Sequence, residues 1–349
     1  MDLVLDGFLA RQGRVLDEVS PACAPLAGAI AGLMRGGKRL RPAFCYWGWR
    51  GAGEPDSDAV VAAAASLELF QAAALIHDDL IDHSDTRRGM PAVHRSFAGL
   101  HGDSGWRGDA DRFGVAGAVL AGDMCLVWAD ELLQGSGLPG ARLAAARPVF
   151  DRMRTELLGG QYLDVLSQHL PEDDPAEALE RARHVVRYKS AKYTVEHPLL
   201  MGAALAGAPA QLRAVYSTYG LALGEAFQLR DDVLGVFGDP QRTGKPAGDD
   251  LREGKRTVLI ALTLQRAEPE QAGLVRRLLG DPGLDGADLA ALRQVIVDTG
   301  TLDTVEHLIA DLSTQARDAV RDGVRSGWLT TDAAAVLEAL VTAATTRAR

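Results

Sequence analysis

Residues 60–82 read VVAAAASLELFQAAALIHDDLID. Leu67, Phe70, Ala74 and Asp78 recur at helical spacing along one stripe, so the run reads as one long helix. Three carboxylates close it: Asp78, Asp79 and Asp82. Helical residues i and i+4 are neighbours, roughly 6 Å apart, so Asp78 and Asp82 project side by side. Clustered carboxylates on an apolar stripe repel one another and resist burial unless a cation compensates. About 150 residues on, FQLRDDVLGVFGD at 227–239 repeats the device with Asp231 and Asp232 in a second helical run.

Cations follow both segments: Arg87 and Arg88 the first, Lys245 and Lys255 the second. All-oxygen ligands favour a hard ion, Mg²⁺ first, which takes one or two carboxylates and completes its shell with phosphate oxygens. Two carboxylate walls, divalent ions and nearby Arg and Lys together describe a site for a diphosphate. The blander alternative for either segment alone is a solvated acidic patch or a cap. The second is the weaker of the two, because Gly235 stands at its fifth position. A third element, GGKRLRP at 36–42, reads either as a loop entering a helix at Pro42 or as a clamp for a further phosphate through Lys38 and Arg41.

The remainder of the chain bounds these readings. Its 349 residues, 47% hydrophobic, can bury a large core. No run of 18 uncharged apolar residues occurs, which speaks against a membrane span, and Asp2 and Asp6 speak against a signal peptide. Cys23, Cys45 and Cys125 are too few and scattered for a disulfide framework or a zinc site, so the expectation is three reduced thiols in a cytoplasmic protein. A net charge of −10 argues against nucleic-acid binding. Helical periodicity also marks 141–167, 176–205, 210–237, 257–266 and 331–346, and no persistent alternation announces strands. Loops are expected at 51–56, 100–113, 135–140, 170–175, 238–254 and 279–286. No linker splits the chain, so residues 1–349 are expected to form one all-α domain, a helical bundle with its cavity between helices.

From about residue 30 onward the chain resembles the trans-isoprenyl diphosphate synthases, or polyprenyl synthetases. The matching segments come in family order: GGKRLRP at 36–42, LELFQAAALIHDDLIDHSDTRRG at 67–89, LAGDMCLVWA at 120–129, GGQYLDV at 159–165, YKSAKYT at 188–194, FQLRDDVLGVFGD at 227–239 and TGKPAGDDLREGKRT at 243–257. The resemblance implies an isoprenoid-synthase-type bundle around a central apolar cavity, working as a homodimer. It implies condensation of isopentenyl diphosphate with an allylic diphosphate (dimethylallyl, geranyl or farnesyl) using three Mg²⁺ ions. Asp78, Asp79 and Asp82 would then bind two of the ions and Asp231 the third, with Asp232 and Asp239 in support. Arg87, Lys189, Gln228 and Lys245 would hold the allylic diphosphate, and Lys255 would belong to a loop closing over it. Lys38, Arg41, Gln71 and Arg88 would hold isopentenyl diphosphate. Taken singly, the two arginines read as surface charge and Gln71 as a satisfied core amide. His77 is either an acid or base or a hydrogen-bonding core residue. A metal bridged mainly by substrate oxygens tolerates the missing carboxylate at Gly235, so activity is expected to survive.

A chain growing from Asp78 would run back along its helix. One turn down stand Ala74 and Ala73, too small to stop it, and two turns down stands Phe70. In the family, aromatic residues at the first floor give a fifteen-carbon product, so this chain is expected to make C20, geranylgeranyl diphosphate. The alternatives are C25 or longer, or C15. A class I terpene cyclase is a further rival, but it would leave GGKRLRP, Gln71 and Arg88 without purpose. A non-catalytic subunit would be expected to have lost Asp or Arg from the motifs, and a helical scaffold leaves the paired carboxylates unexplained.

Overall fold

The computed structural model describes residues 1–170, 174–238 and 248–345, and these are overwhelmingly α-helical. The chain divides into two compact units, one of residues 1–46 and 55–144, the other of residues 47–54 and 145–349.

The first unit is built on α4 (Asp58–Ile81), the helix expected over 60–82. It packs chiefly against α6 (Ala110–Gln134), which in turn receives α5 (Val93–Asp103). Around these lie α1 (Asp2–Val19), α2 (Ala24–Met34) and the first turns of α3 (Leu40–Gly51). Leu67, Leu69, Phe70 and Ile76 of α4 are buried with Phe8 and Ile30. The helix ends at the Asp82 C-cap because His83 turns left-handed with φ +53°, a conformation that breaks the ladder. A short antiparallel hairpin follows, β1 (Thr86–Arg87) with β2 (Met90–Pro91). No strand was expected here, and the hairpin is too short to carry an alternating pattern.

The loop expected at 100–113 is shorter than its Gly and Asp content suggests. Helix α5 runs through Asp103 and α6 begins at Ala110, capped by Asp109. Packing overrides composition there: Trp106 sets its ring against His101 at 6.1 Å and Phe113 at 5.3 Å, edge to face.

The second unit is organised by α10 (Ala210–Phe237), the helix of the second acidic segment, which packs against α15 (Thr301–Arg325). The run expected over 176–205 divides into α8 (Pro175–Val185), a π-helical stretch (Val186–Glu196) and α9 (His197–Ala206). This stretch packs close against Gly160 of α7 (Gly140–His169), where a Cβ would sit 2.6 Å from the Lys189 amide nitrogen. Beyond α10 come α11 (Asp249–Arg252), α12 (Val258–Arg266), α13 (Pro269–Leu278), α14 (Gly286–Asp298) and α16 (Thr331–Thr345). Val233, Val236, Leu259, Ile260, Leu292 and Val305 are among the residues of this core.

By length and composition alone α4 and α6 are each long and apolar enough to cross a membrane, although charged residues interrupt both. In α4 67% of the apolar window is buried inside the protein, against 39% in α6.

Candidate active site

In the first unit, the acidic turn sits where α4 runs out. Asp79 is 1% exposed, and the Arg87 guanidinium reaches its Oδ1 from the hairpin, through Nε at 2.8 Å and through Nη2. Arg87 Nη2 also lies 3.8 Å from Asp78 Oδ2. Burial raises the Asp79 carboxyl above its ordinary range, against the pull of Arg87. Asp79 Oδ2 is buried with no hydrogen-bond partner. Asp78 and Asp82 are half-buried on the same turn, the Asp82 amide bonding to the Asp78 carbonyl at 2.8 Å. His77 lies 3.7 Å from Asp123 Oδ1 and packs over Gly122 of α6.

Beside this turn the GGKRLRP segment enters α3. A Cβ on Gly37 would lie 2.8 Å from Arg39 Nη1, 3.2 Å from Glu68 Oε2 and 3.3 Å from Arg88 Nη2, so these three groups converge around the bare backbone of this glycine. Arg39 bonds to buried Glu68 (2.7 Å), to Asp2 (3.0 Å) and to the Met34 carbonyl (2.6 Å). Arg88 donates to the Leu33 carbonyl at 2.7 Å. Burial lowers the Arg88 guanidinium from its ordinary value, and the charges of Arg39, Arg87 and Arg41 lower it further against Glu68. Arg39 and Arg88 both hold positive φ, +52° and +55°. Non-glycine residues pay about 1–3 kcal/mol for such backbones, which cluster at functional sites. Lys38 is exposed, while Arg41 and Gln71 are half-buried. Arg39 and Glu68 escaped the sequence reading; a lone carboxylate inside the apolar run 60–76 was the signal for Glu68.

In the second unit, Asp231 is exposed and Asp232 is 5% exposed. Ser190 Oγ donates to Gln228 Oε1 (2.5 Å), and Gln228 Nε2 donates to Asp232 Oδ1 (2.8 Å). Burial, with the charges of Asp250 and Asp231 added, pushes the Asp232 carboxyl up to about 8 against that hydrogen bond. Asp232 Oδ2 is buried without a partner. Lys189 Nζ is held 2.6 Å from Asp164 Oδ2, a carboxylate in the GGQYLDV segment to which the sequence had assigned no role. Lys255 Nζ lies 2.6 Å from Glu253 and 3.7 Å from Asp250. Asp164, Lys189, Gln228, Asp231, Asp232 and Lys255 are among the residues lining one cavity of about 110 Å³. Lys245 and Asp239 lie outside the described residues.

Among the described residues no three His, Cys, Asp or Glu side chains converge closely enough to hold an ion alone. The donor set still fits Mg²⁺. It is all oxygen, and each acidic turn holds one buried carboxylate oxygen without a partner. Such a set suits an ion that draws its other ligands from diphosphate and water.

Residues 25–296 match the profile of the polyprenyl synthetase family. The crystal structure of geranylgeranyl pyrophosphate synthase from Corynebacterium glutamicum, complexed with isoprenyl diphosphate and magnesium, superposes with a TM-score of 0.92 at 42% identity, covering 99% of this chain and 97% of that one. The (2E,6E)-farnesyl diphosphate synthase of Mycobacterium tuberculosis is 34% identical over 263 residues, 74% of this chain and 67% of that protein. The geranylfarnesyl diphosphate synthase of Aeropyrum pernix is 33% identical over 309 residues, 87% of this chain and 89% of that protein. The chain belongs to the polyprenyl synthetase family and is a prenyltransferase that makes trans-prenyl diphosphates.

Proposed function

We propose that this protein condenses isopentenyl diphosphate with an allylic diphosphate to give geranylgeranyl diphosphate, C20, with three Mg²⁺ ions. Residues 1–349 work as one synthase domain. Asp78, Asp79 and Asp82 hold two of the ions and Asp231 the third, with Asp232 and Asp239 behind it. The bound ions supply Lewis-acid charge to the leaving diphosphate. Arg87, Lys189, Gln228, Lys245 and Lys255 orient that diphosphate and take up its growing negative charge as the C–O bond breaks. This asks Arg87 and Lys189 to exchange Asp79 and Asp164 for phosphate oxygens. Lys38, Arg41, Gln71 and Arg88 present the second diphosphate, supported by the convergence of Arg88 with Arg39 around Gly37. Apolar side chains of α4 keep water from the allylic cation. The released diphosphate takes the proton.

One observation carries the product length: Phe70, 1% exposed, stands two turns behind Asp78, with Ala74 alone between them on that stripe. The C25 product is the second reading, favoured by the similarity to a geranylfarnesyl diphosphate synthase. Incubation with isopentenyl diphosphate and dimethylallyl, geranyl or farnesyl diphosphate in turn, followed by chromatography, separates the two. A main C25 or C15 product would overturn the C20 reading.

The protein acts as a homodimer through α6, whose Val115, Val119, Leu120 and Val127 are 40–65% exposed, an apolar face that a second copy would cover. Light scattering giving a monomer mass at micromolar concentration would exclude this. The free thiols of Cys23, Cys45 and Cys125 support a cytoplasmic setting.

A further inference from the structure

Gly235 marks the position where the second acidic segment lacks a carboxylate, and the space beside it is filled. A Cβ on Gly235 would run into the carboxylate of Asp250, lying 2.5 Å from its Cγ. Residue 235 is four beyond Asp231, so a side chain there would stand beside Asp231 on α10. Asp250 reaches that place from α11, with its side chain 14% exposed. It lines the same cavity as Asp231, Asp232, Gln228 and Lys189. In that cavity the partnerless Oδ2 of Asp232 marks unmet demand for a cation or a donor. Asp250 Oδ1 also lies 3.7 Å from Lys255 Nζ, which ties the lysine to this wall.

We propose that Asp250 is the third carboxylate of the second acidic wall, occupying from α11 the place that an aspartate at 235 would fill from α10. The proposal rests on the Mg²⁺–diphosphate role given above. A side chain at 235 would then push the Asp250 carboxylate out of this place. Gly235→Asp, which restores the full aspartate motif on paper, is expected to do harm.

The test is calorimetric binding of inorganic pyrophosphate in the presence of Mg²⁺, with apo melting temperature as the folding control. Asp250→Asn, a near-isosteric change, and Gly235→Asp are each expected to weaken binding roughly ten- to hundredfold, the usual loss on removing a supporting group at a metal site. The exchange Gly235→Asp with Asp250→Gly is expected to return binding to within about threefold of the parent, since losses confined to one shared place cancel. The proposal is overturned by parental affinity in either single variant, or by an exchange variant no better than the singles. Failure of the parent to bind Mg²⁺ and pyrophosphate would instead overturn the proposed function, and this inference with it.

Discussion

Truncating Phe70 to alanine removes the proposed floor of the product tunnel. Phe70 lies eight residues before Asp78, about 12 Å along α4 at 1.5 Å per residue. Once it is gone, the next side chains on that side of the helix are Ser66 and Leu67, both buried and about one turn, 5.4 Å, deeper. That depth suits one more five-carbon unit. If the ring opposes the fifth unit with the ordinary penalty for overpacking, about 1–3 kcal/mol, it holds C25 back roughly five- to 150-fold. Phe70→Ala should therefore raise the C25 to C20 ratio by at least about fivefold. Phe→Ala in a packed core costs about 3–5 kcal/mol, so the assay is run well below the variant's melting temperature. Products from farnesyl diphosphate and labelled isopentenyl diphosphate are dephosphorylated and separated by reversed-phase chromatography. An unchanged length distribution in an active, folded variant would refute the floor. Ala73→Phe tests the opposite direction and should shorten the main product towards C15. Ala73 is fully buried, one turn before the His77 that packs over Gly122, so this variant is also expected to lose stability.

Asp78→Ala or Asp82→Ala should lower turnover by several orders of magnitude while leaving helical circular dichroism intact; near-normal turnover at saturating Mg²⁺ would dismiss the metal role. Lys38→Ala and Arg88→Ala should mainly raise KM for isopentenyl diphosphate, roughly ten- to hundredfold for a lost charge-assisted contact of about 1.5–3 kcal/mol. A rise confined to the allylic KM would mean that the two diphosphate sites are exchanged. Glu156 gives a pH prediction. Burial alone would raise its carboxyl, but hydrogen bonds from Lys192, Arg152 and His197 hold it at about 2. A carboxylate depressed in the folded state adds stability above its ordinary pKa of 4.5, and that stability is lost as pH falls towards 2. Glu156→Gln should cost on the order of 1–3 kcal/mol at pH 7 and flatten the acid limb between those values; urea titrations with an unchanged acid limb would contradict this.

The helices carrying the acidic segments were legible because a 3.6-residue period and an abrupt run of aspartates are local signals. The ends of α10 came out as expected, and those of α4 within two residues. The division of 176–205 by π-helical turns was not legible, since the apolar residues keep a helical period throughout and the tight packing against Gly160 of α7 joins residues distant in sequence. Nor were Arg39 and Glu68, whose pairing spans 29 residues and needs a left-handed backbone at Arg39. Gly235 was visible as a departure from the family pattern, but Asp250 in its place was not, because that placement depends on how α11 folds back. The hairpin carrying Arg87 was missed for want of length.

The most direct measurement of the central claim is transfer of labelled isopentenyl diphosphate to farnesyl diphosphate by the purified protein. The expected result is an acid-labile C20 product formed with Mg²⁺, abolished by chelation and restored by added Mg²⁺. A protein that leaves the label unincorporated, or that turns farnesyl diphosphate alone into a cyclic hydrocarbon, would contradict it.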